Sequence, residues 1–220
     1  MTPVTQMGVR AAIGRARTLA EASPRSILGI TGPPGAGKST LAALVVGEVA
    51  GSVLVGMDAF HLAHSSLERL GRGGRKGAPD TFDAAGYVAL LERLRTRADG
   101  TVWAPEFRRE IEDSVCAAVA VEPTTRLVVT EGNYLLLEDG PWALVRPLLD
   151  EVWYVDVPAV VRRLRLARRH ERFGRSRAAA LHRTLGSDED NAVLVVACRE
   201  RADVVVDLDR PGEADRGLPP

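Results

Sequence analysis

The stretch that most constrains this chain is Gly32–Ser39, which reads GPPGAGKS and stands between the aliphatic run Ser26–Thr31 and a helical pattern beginning at Lys38. Aliphatic run, glycine-rich turn and helix, in that order, predict a strand that enters a loop built to hold phosphate. The glycines let backbone N–H groups converge on phosphate oxygens. The helix N-terminus adds a favourable dipole, and Lys38 supplies a mobile cation for the outer phosphates. Ser39 is placed to offer its hydroxyl to Mg²⁺. The candidate nucleotide-binding residues are therefore Gly32, Pro33, Pro34, Gly35, Ala36, Gly37, Lys38, Ser39 and Thr40. In an ordinary glycine and proline turn Lys38 would merely be solvated, yet lysine occurs in this arginine-rich chain only here and at Lys76.

Around that loop, short β-branched or aliphatic runs alternate with longer helical patterns. Strands are predicted at Ser26–Thr31, Val53–Gly56, Leu127–Thr130, Val152–Val157 and Val204–Leu208, and the near-continuous apolar character of several implies burial on both faces of a parallel sheet. Helices are predicted at Lys38–Val49, Ala84–Arg97, Pro158–Phe173 and about Asp190–Arg201. A chain of 220 residues suits one α/β domain. The expected organisation is an N-terminal amphipathic helix within residues 1–25, a main domain over 26–209 and a tail over 210–220. LGRGGRKGAP at Leu70–Pro79 and ERFGRSRA at Glu171–Ala178 break the pattern and read as mobile loops.

With 29 basic and 29 acidic side chains there is no overall positive field to draw the protein onto nucleic acid or an anionic membrane. Small-molecule partners are the expectation. Cys116 and Cys198 suggest neither a disulfide framework nor a metal knuckle. Arg10, Arg15 and Arg17 interrupt the apolar core a signal peptide needs, and no run approaches a membrane span, so a cytoplasmic location is expected.

The phosphate loop is shared by motors, GTPases, transport ATPases and kinases. A guanine reader of the form Asn-Lys-x-Asp is missing, since Asn133 and Asn191 are the only asparagines and neither precedes a lysine. On the acceptor side, GMDAFHL puts Asp58 at the carboxyl edge of the second strand, where ligands of open α/β sheets bind and where a general base can meet a hydroxyl beside the γ-phosphate. A turn or helix-capping aspartate is the competing reading. VVTEGN puts Glu131 where a hydrophobic strand gives way to glycine, suited to Mg²⁺ or its water shell, or else simply to a solvated strand end.

Taken together, GPPGAGKST, MDAFHL, KGAPDTFD, VVTEGNYLLL and RLRLARRHERFG resemble the phosphoribulokinase, uridine kinase and pantothenate kinase superfamily over about Ile27 to Leu208, including its bacterial nucleoside/nucleotide kinase-like or fructose-transport-kinase-like group. The resemblance implies a three-layer P-loop NTPase fold, a mostly parallel five-stranded sheet with helices on both faces and an arginine-rich lid. It implies use of ATP with Mg²⁺, a small-molecule hydroxyl acceptor, Asp58 as base and Glu131 as metal support. Dimers are frequent among such relatives. KGAPDTFD is similar to the Lys-Gly-x-Pro segment of bacterial pantothenate kinases. Uridine kinases carry an Asp-His-Pro-Asp run there, and Gly77, standing at its first aspartate, has no side chain to accept from a sugar diol.

His61, Lys76, Asp80 and Asp83 are candidate acceptor residues, with Lys76 favouring an anionic or polyol substrate, and Arg108 of WAPEFRRE is a further one. His61 could equally be a packed loop histidine, and Asp83 a cap for the helix at Ala84. Arg162, Arg165, Arg168, Arg169 and Arg172 lie on or beside one helix, with Arg165 and Arg169 the candidates to steady charge on the transferred phosphoryl group. Asn191 is a candidate near the adenine. A regulatory or assembly ATPase is the competing function. It would need only the phosphate cradle, and not Asp58, KGAPDTFD and the arginines together.

Overall fold

A computed structural model describes residues 4–96 and 100–209. The chain opens with a short strand β1 (Thr5–Gly8) and the helix α1 (Val9–Ala22), whose buried stripe is Ala12, Ala16 and Ala20. Next come β2 (Ser26–Thr31), α2 (Lys38–Glu48), β3 (Ser52–Leu54), α3 (His64–Arg69) and α4 (Ala84–Arg95). A hairpin follows, formed by β4 (Val102–Arg108) and β5 (Asp113–Val121). The remainder is β6 (Leu127–Glu131), β7 (Glu151–Asp156), α5 (Ala159–Arg172), α6 (Arg177–Leu185), α7 (Ser187–Ala197) and β8 (Val204–Asp207). The expected tail over 210–220 and Arg97, the last residue of the expected helix Ala84–Arg97, lie outside the described residues.

The central sheet runs β1-β8-β7-β2-β6-β3 and every pairing in it is parallel. It has six strands, not the five expected. The sixth, TQMG, is a four-residue edge strand whose mixed polar character carries no buried-strand signal. It pairs with β8 from Thr5↔Val204 to Gly8↔Asp207. The hairpin of β4 and β5 is a separate antiparallel unit that the sequence reading left unassigned.

Period-two alternation along the buried strands divides the core between the two faces of the sheet. Leu28, Ile30, Val129, Trp153, Val155 and Val206 pack under α1 and α2 with Ala16, Leu41 and Val45. Ile27, Val128, Val152, Tyr154 and Val205 pack on the opposite face with Tyr87, Leu91, Leu94 and Trp142. Central β2 has β6 on one side and β7 on the other, so its carboxyl end opens at the crevice where chain direction across the sheet reverses. The glycine-rich loop leaves β2 at that crevice.

Candidate active site

The loop between β2 and α2 is shaped by glycine at three positive-φ positions, Gly32 (149°), Gly35 (82°) and Gly37 (102°). Space forbids a side chain there as well. A Cβ on Gly32 would stand 2.7 Å from the Val155 carbonyl oxygen, and one on Gly35 would stand 2.7 Å from that of Arg162. Lys38 opens α2, is 8% exposed, and donates from Nζ to the Pro33 carbonyl at 3.2 Å. Burial lowers its pKa to about 8, against the pull of Glu131 and Asp58. A buried ammonium whose hydrogen-bond partner among the described residues is a carbonyl fits a cradle made for phosphate.

Ser39 Oγ donates to Glu131 Oε1 at 3.1 Å, which joins the start of α2 to the end of β6. Glu131 is 8% exposed, and burial, then the nearby negative charge of Asp58, raises its pKa; Lys38 and the Ser39 hydroxyl oppose the rise. A hydroxyl and a buried carboxylate at the mouth of a phosphate loop are a donor set that suits Mg²⁺ beside nucleotide phosphates. Ser39 and Glu131 would hold it.

Asp58 sits in a single 3₁₀ turn, Met57–Phe60, just beyond β3. Its backbone carbonyl accepts from the His61 backbone N–H at 3.2 Å and contacts His61 Nδ1 at 2.8 Å, so the turn is pinned while the carboxylate lines the cleft. His61 stacks on Phe82 with ring centroids 4.0 Å apart and lies 5.2 Å from Phe107. Burial lowers its pKa, which favours the neutral ring.

Asp58, His61, Phe82 and Phe107 face one open cleft of about 500 Å³, to which the phosphate loop contributes Pro34. Asn133, Lys76 and Gly77 line it as well. Lys76 and Gly77 form a junction in its wall. Lys76 Nζ donates to the Glu112 carbonyl at 2.7 Å and lies 5.6 Å from the Phe107 ring, and the Lys76 carbonyl accepts from Arg183. The Gly77 carbonyl accepts from Tyr134 Oη and, at 3.2 Å, from Asn191 Nδ2. Core, hairpin and C-terminal helices thus meet at two residues.

The five arginines expected to act together have different surroundings. Arg162 is buried and tied to Glu189. Arg165 reaches the outside of the phosphate loop, with Nη1 3.5 Å from the Ala36 carbonyl and Nη2 3.8 Å from Asp209, and does not line the cleft. Arg169 does line it, and its pKa is lowered by loss of bulk water and by the neighbouring charge of Arg109.

The other candidates have varied surroundings. Asp80 is paired with Arg72 and Arg75 outside the main cleft. Asp83 caps α4, its Oδ1 accepting from the Gly86 N–H at 2.9 Å. Arg108 pairs with Glu106 in solvent, whereas Arg109, at the hairpin turn, lines the cleft. Asn191 is buried against Gly77 on the cleft wall. Sequence reasoning also passed over Asn133, Arg183 and the pair His170 and Asp188, 2.7 Å apart across α5 and α7. The RR dipeptide was the available signal for Arg109, because neighbouring residues at a strand end point opposite ways.

A parallel sheet, a glycine loop entering a helix and a carboxylate-lined cleft at the sheet's carboxyl edge define a P-loop phosphotransferase. No family model matches the chain. It is 40% identical over 152 residues to an ATP-dependent kinase-like protein of Aspergillus versicolor, covering 65% of this chain and 88% of the relative. It is 34% identical over 204 residues to a protein of Schizosaccharomyces pombe provisionally named a uridine kinase, covering 87% of each. Among solved structures, one from Silicibacter sp. provisionally described as a fructose transport system kinase matches with TM-score 0.82 and 32% identity over 90% of this chain and 98% of that one. The chain belongs to the P-loop kinases of the uridine kinase and pantothenate kinase superfamily.

Proposed function

We propose that this protein transfers the γ-phosphoryl group of ATP to a hydroxyl of a small metabolite. The observation that carries the reading is that Asp58 and Arg169 line one cleft together with Pro34 of the phosphate loop and with His61, Lys76 and Phe107, while Lys38 and Glu131 lie within electrostatic reach of Asp58 and Arg169. A protein that only hydrolysed or sensed nucleotide would need the phosphate loop and not the wall of His61, Lys76 and Phe107.

In this reading the loop amides and Lys38 hold the outer phosphates, and Arg165 steadies the nucleotide from the outer side of the loop. Asp58 accepts the hydroxyl proton as the acceptor oxygen bonds to the γ-phosphorus and the bond to the bridging oxygen breaks, leaving ADP. Lys38 and Arg169 stabilise the charge that passes through the transferred group. Ser39 and Glu131 would hold Mg²⁺, which would supply neutralisation of the phosphate charge. Arg169 and the loop after α5 act as a lid that keeps water from the transfer. Such a reaction belongs in the cytoplasm, where ATP and its acceptors are dissolved.

The test is ADP release with Mg²⁺ and ATP across sugars, sugar acids, pantothenate and nucleosides, with Lys38→Ala as the blank. Acceptor-dependent release is expected, and Asp58→Asn should lower kcat by about 10²- to 10⁴-fold. Full activity in Asp58→Asn, or steady hydrolysis indifferent to every acceptor, would overturn the proposal.

A further inference from the structure

Five cationic side chains, Lys76, Arg109, Arg169, Arg175 and Arg183, line the cleft, and among the described residues none of them pairs with a carboxylate. Elsewhere arginines are commonly matched, as Arg72 and Arg75 are to Asp80, Arg146 to Asp203, Arg163 to Glu189 and Arg199 to Asp156. The cleft contains three acidic residues, Asp58, Glu112 and Asp188. Asp188 is engaged by His170, and Asp58 stands at the reaction centre. A chain of zero formal net charge therefore concentrates unmatched positive charge in this cleft. Such crowding costs repulsion unless a ligand relieves it.

Nucleotide phosphates account for Lys38 and for Arg169, but not for the far wall. There Lys76 spends one of its three N–H donors on the Glu112 carbonyl and keeps the others. Arg109 has no hydrogen-bonding side-chain partner among the described residues. It comes from the hairpin turn, and its positive charge is felt by Lys38, His61 and Arg169, so it stands within electrostatic reach of the reaction centre. The apolar ring of Phe107 lies 5.6 Å from Lys76 Nζ and 5.2 Å from the ring of His61 on the same wall.

We infer that the phosphoryl acceptor is itself an anion, a hydroxy compound bearing a carboxylate or a phosphate that Lys76 and Arg109 hold while a hydroxyl faces Asp58. The inference rests on the kinase reading and narrows it. A neutral sugar or nucleoside would leave the two cations unanswered. An oxyanion accepts from both, and the guanidinium can engage it through two parallel bonds.

The experiment compares matched acceptors with the full chain: glucose, gluconate and glucose 6-phosphate; glycerol, glycerate and glycerol 3-phosphate; uridine and uridine monophosphate. ADP release is followed at saturating Mg²⁺ and ATP. The expected result is turnover of the charged members alone, with Lys76→Gln and Arg109→Gln each raising the acceptor KM about 10- to 100-fold while the KM for ATP holds within about twofold. A response to acids and not to phosphate esters assigns the carboxylate, and the reverse assigns the phosphate. Turnover of a neutral member at a KM equal to or below that of its charged counterpart overturns the inference and leaves the kinase intact. So does a rise in the KM for ATP, in place of the acceptor's, in Arg109→Gln. ADP release that no acceptor changes overturns the kinase reading and this inference with it.

Discussion

Burial holds the Lys38 pKa at about 8, below its ordinary 10.5, and this ties nucleotide capture to pH. In the empty protein the ammonium is charged below pH 8 and neutral above it, whereas phosphate requires the charged form. Above pH 8 each nucleotide must therefore bring a proton back. The Kd for ADP should rise by up to about tenfold per pH unit from there, and calorimetric titrations between neutral and alkaline pH would show it. A flat profile would mean that Lys38 stays charged throughout. Gly35 and Gly47 make a second residue-scale contrast. At Gly35 φ is 82° and a Cβ would meet the Arg162 carbonyl, so Gly35→Ala should cost about 1–3 kcal/mol in denaturant unfolding. Gly47, on exposed helix with nothing within 4 Å, should gain about 0.5–1 kcal/mol on the same change. Equal effects would show that loop geometry does not set the difference.

Between elements, one buried hydroxyl pair connects the far-face helix to the strand that ends in Glu131. Tyr87 Oη on α4 meets Thr130 Oγ1 at 2.7 Å, and Thr130 Oγ1 donates to the Val55 carbonyl at 2.6 Å, so Tyr87 is the donor of the first bond. Tyr87→Phe removes that donor and leaves Thr130 bonded to the strand that leads to Asp58. Unfolding should become easier by about 1 kcal/mol, read from denaturant midpoints, with the acceptor KM little changed. No loss of stability would mean that packing of the ring alone carries the contact. The elements that read most directly from sequence were those buried on both faces, β2, β6, β7 and β8, where continuous aliphatic runs leave little alternative. β1 has a mixed pattern and is held at the edge by its pairing with β8, a partner remote in sequence. The hairpin was missed for the same physical reason, since β5 is half exposed and its alternation is broken near the bulge between Ala104 and Glu106. In the site, Lys38, Ser39, Glu131 and Asp58 could be named because loop and strand end fix them locally. Asp80, Asp83, Arg108 and Asn191 could not be sorted in advance, because ion pairing, capping and strand face are decided by neighbours the local sequence does not show.

At the scale of the molecule, one carboxylate, Glu189, ties α7 to α5 beside the cleft. Glu189 on α7 accepts from Arg162 and Arg163 on α5, and the side chain of Arg162 is only 4% exposed. The same pair of helices is joined again by His170 and Asp188, while Arg183 of α6 ties the group to Lys76. Hydrogen bonding by Arg163 holds the Glu189 pKa at about 2, followed in effect by Arg162, with burial opposing both. A depressed carboxylate pKa contributes stability that is present above its ordinary value of 4.5 and lost as pH falls toward 2. Glu189→Ala removes the counter-charge at neutral pH and leaves Arg162 buried without it. Because Glu189 is itself partly exposed, the cost should fall at the lower end for a broken buried pair, about 3 kcal/mol. Amide hydrogen exchange should locate it: protection falls across α5, α6 and α7 while β2, β6 and β7 keep theirs, and acidification of the parent protein from pH 5 to 3 reproduces the pattern. Loss of protection spread evenly over the sheet would show that these helices do not open as a unit, and that Arg169 is held at the cleft by the whole fold and not by this ion pair.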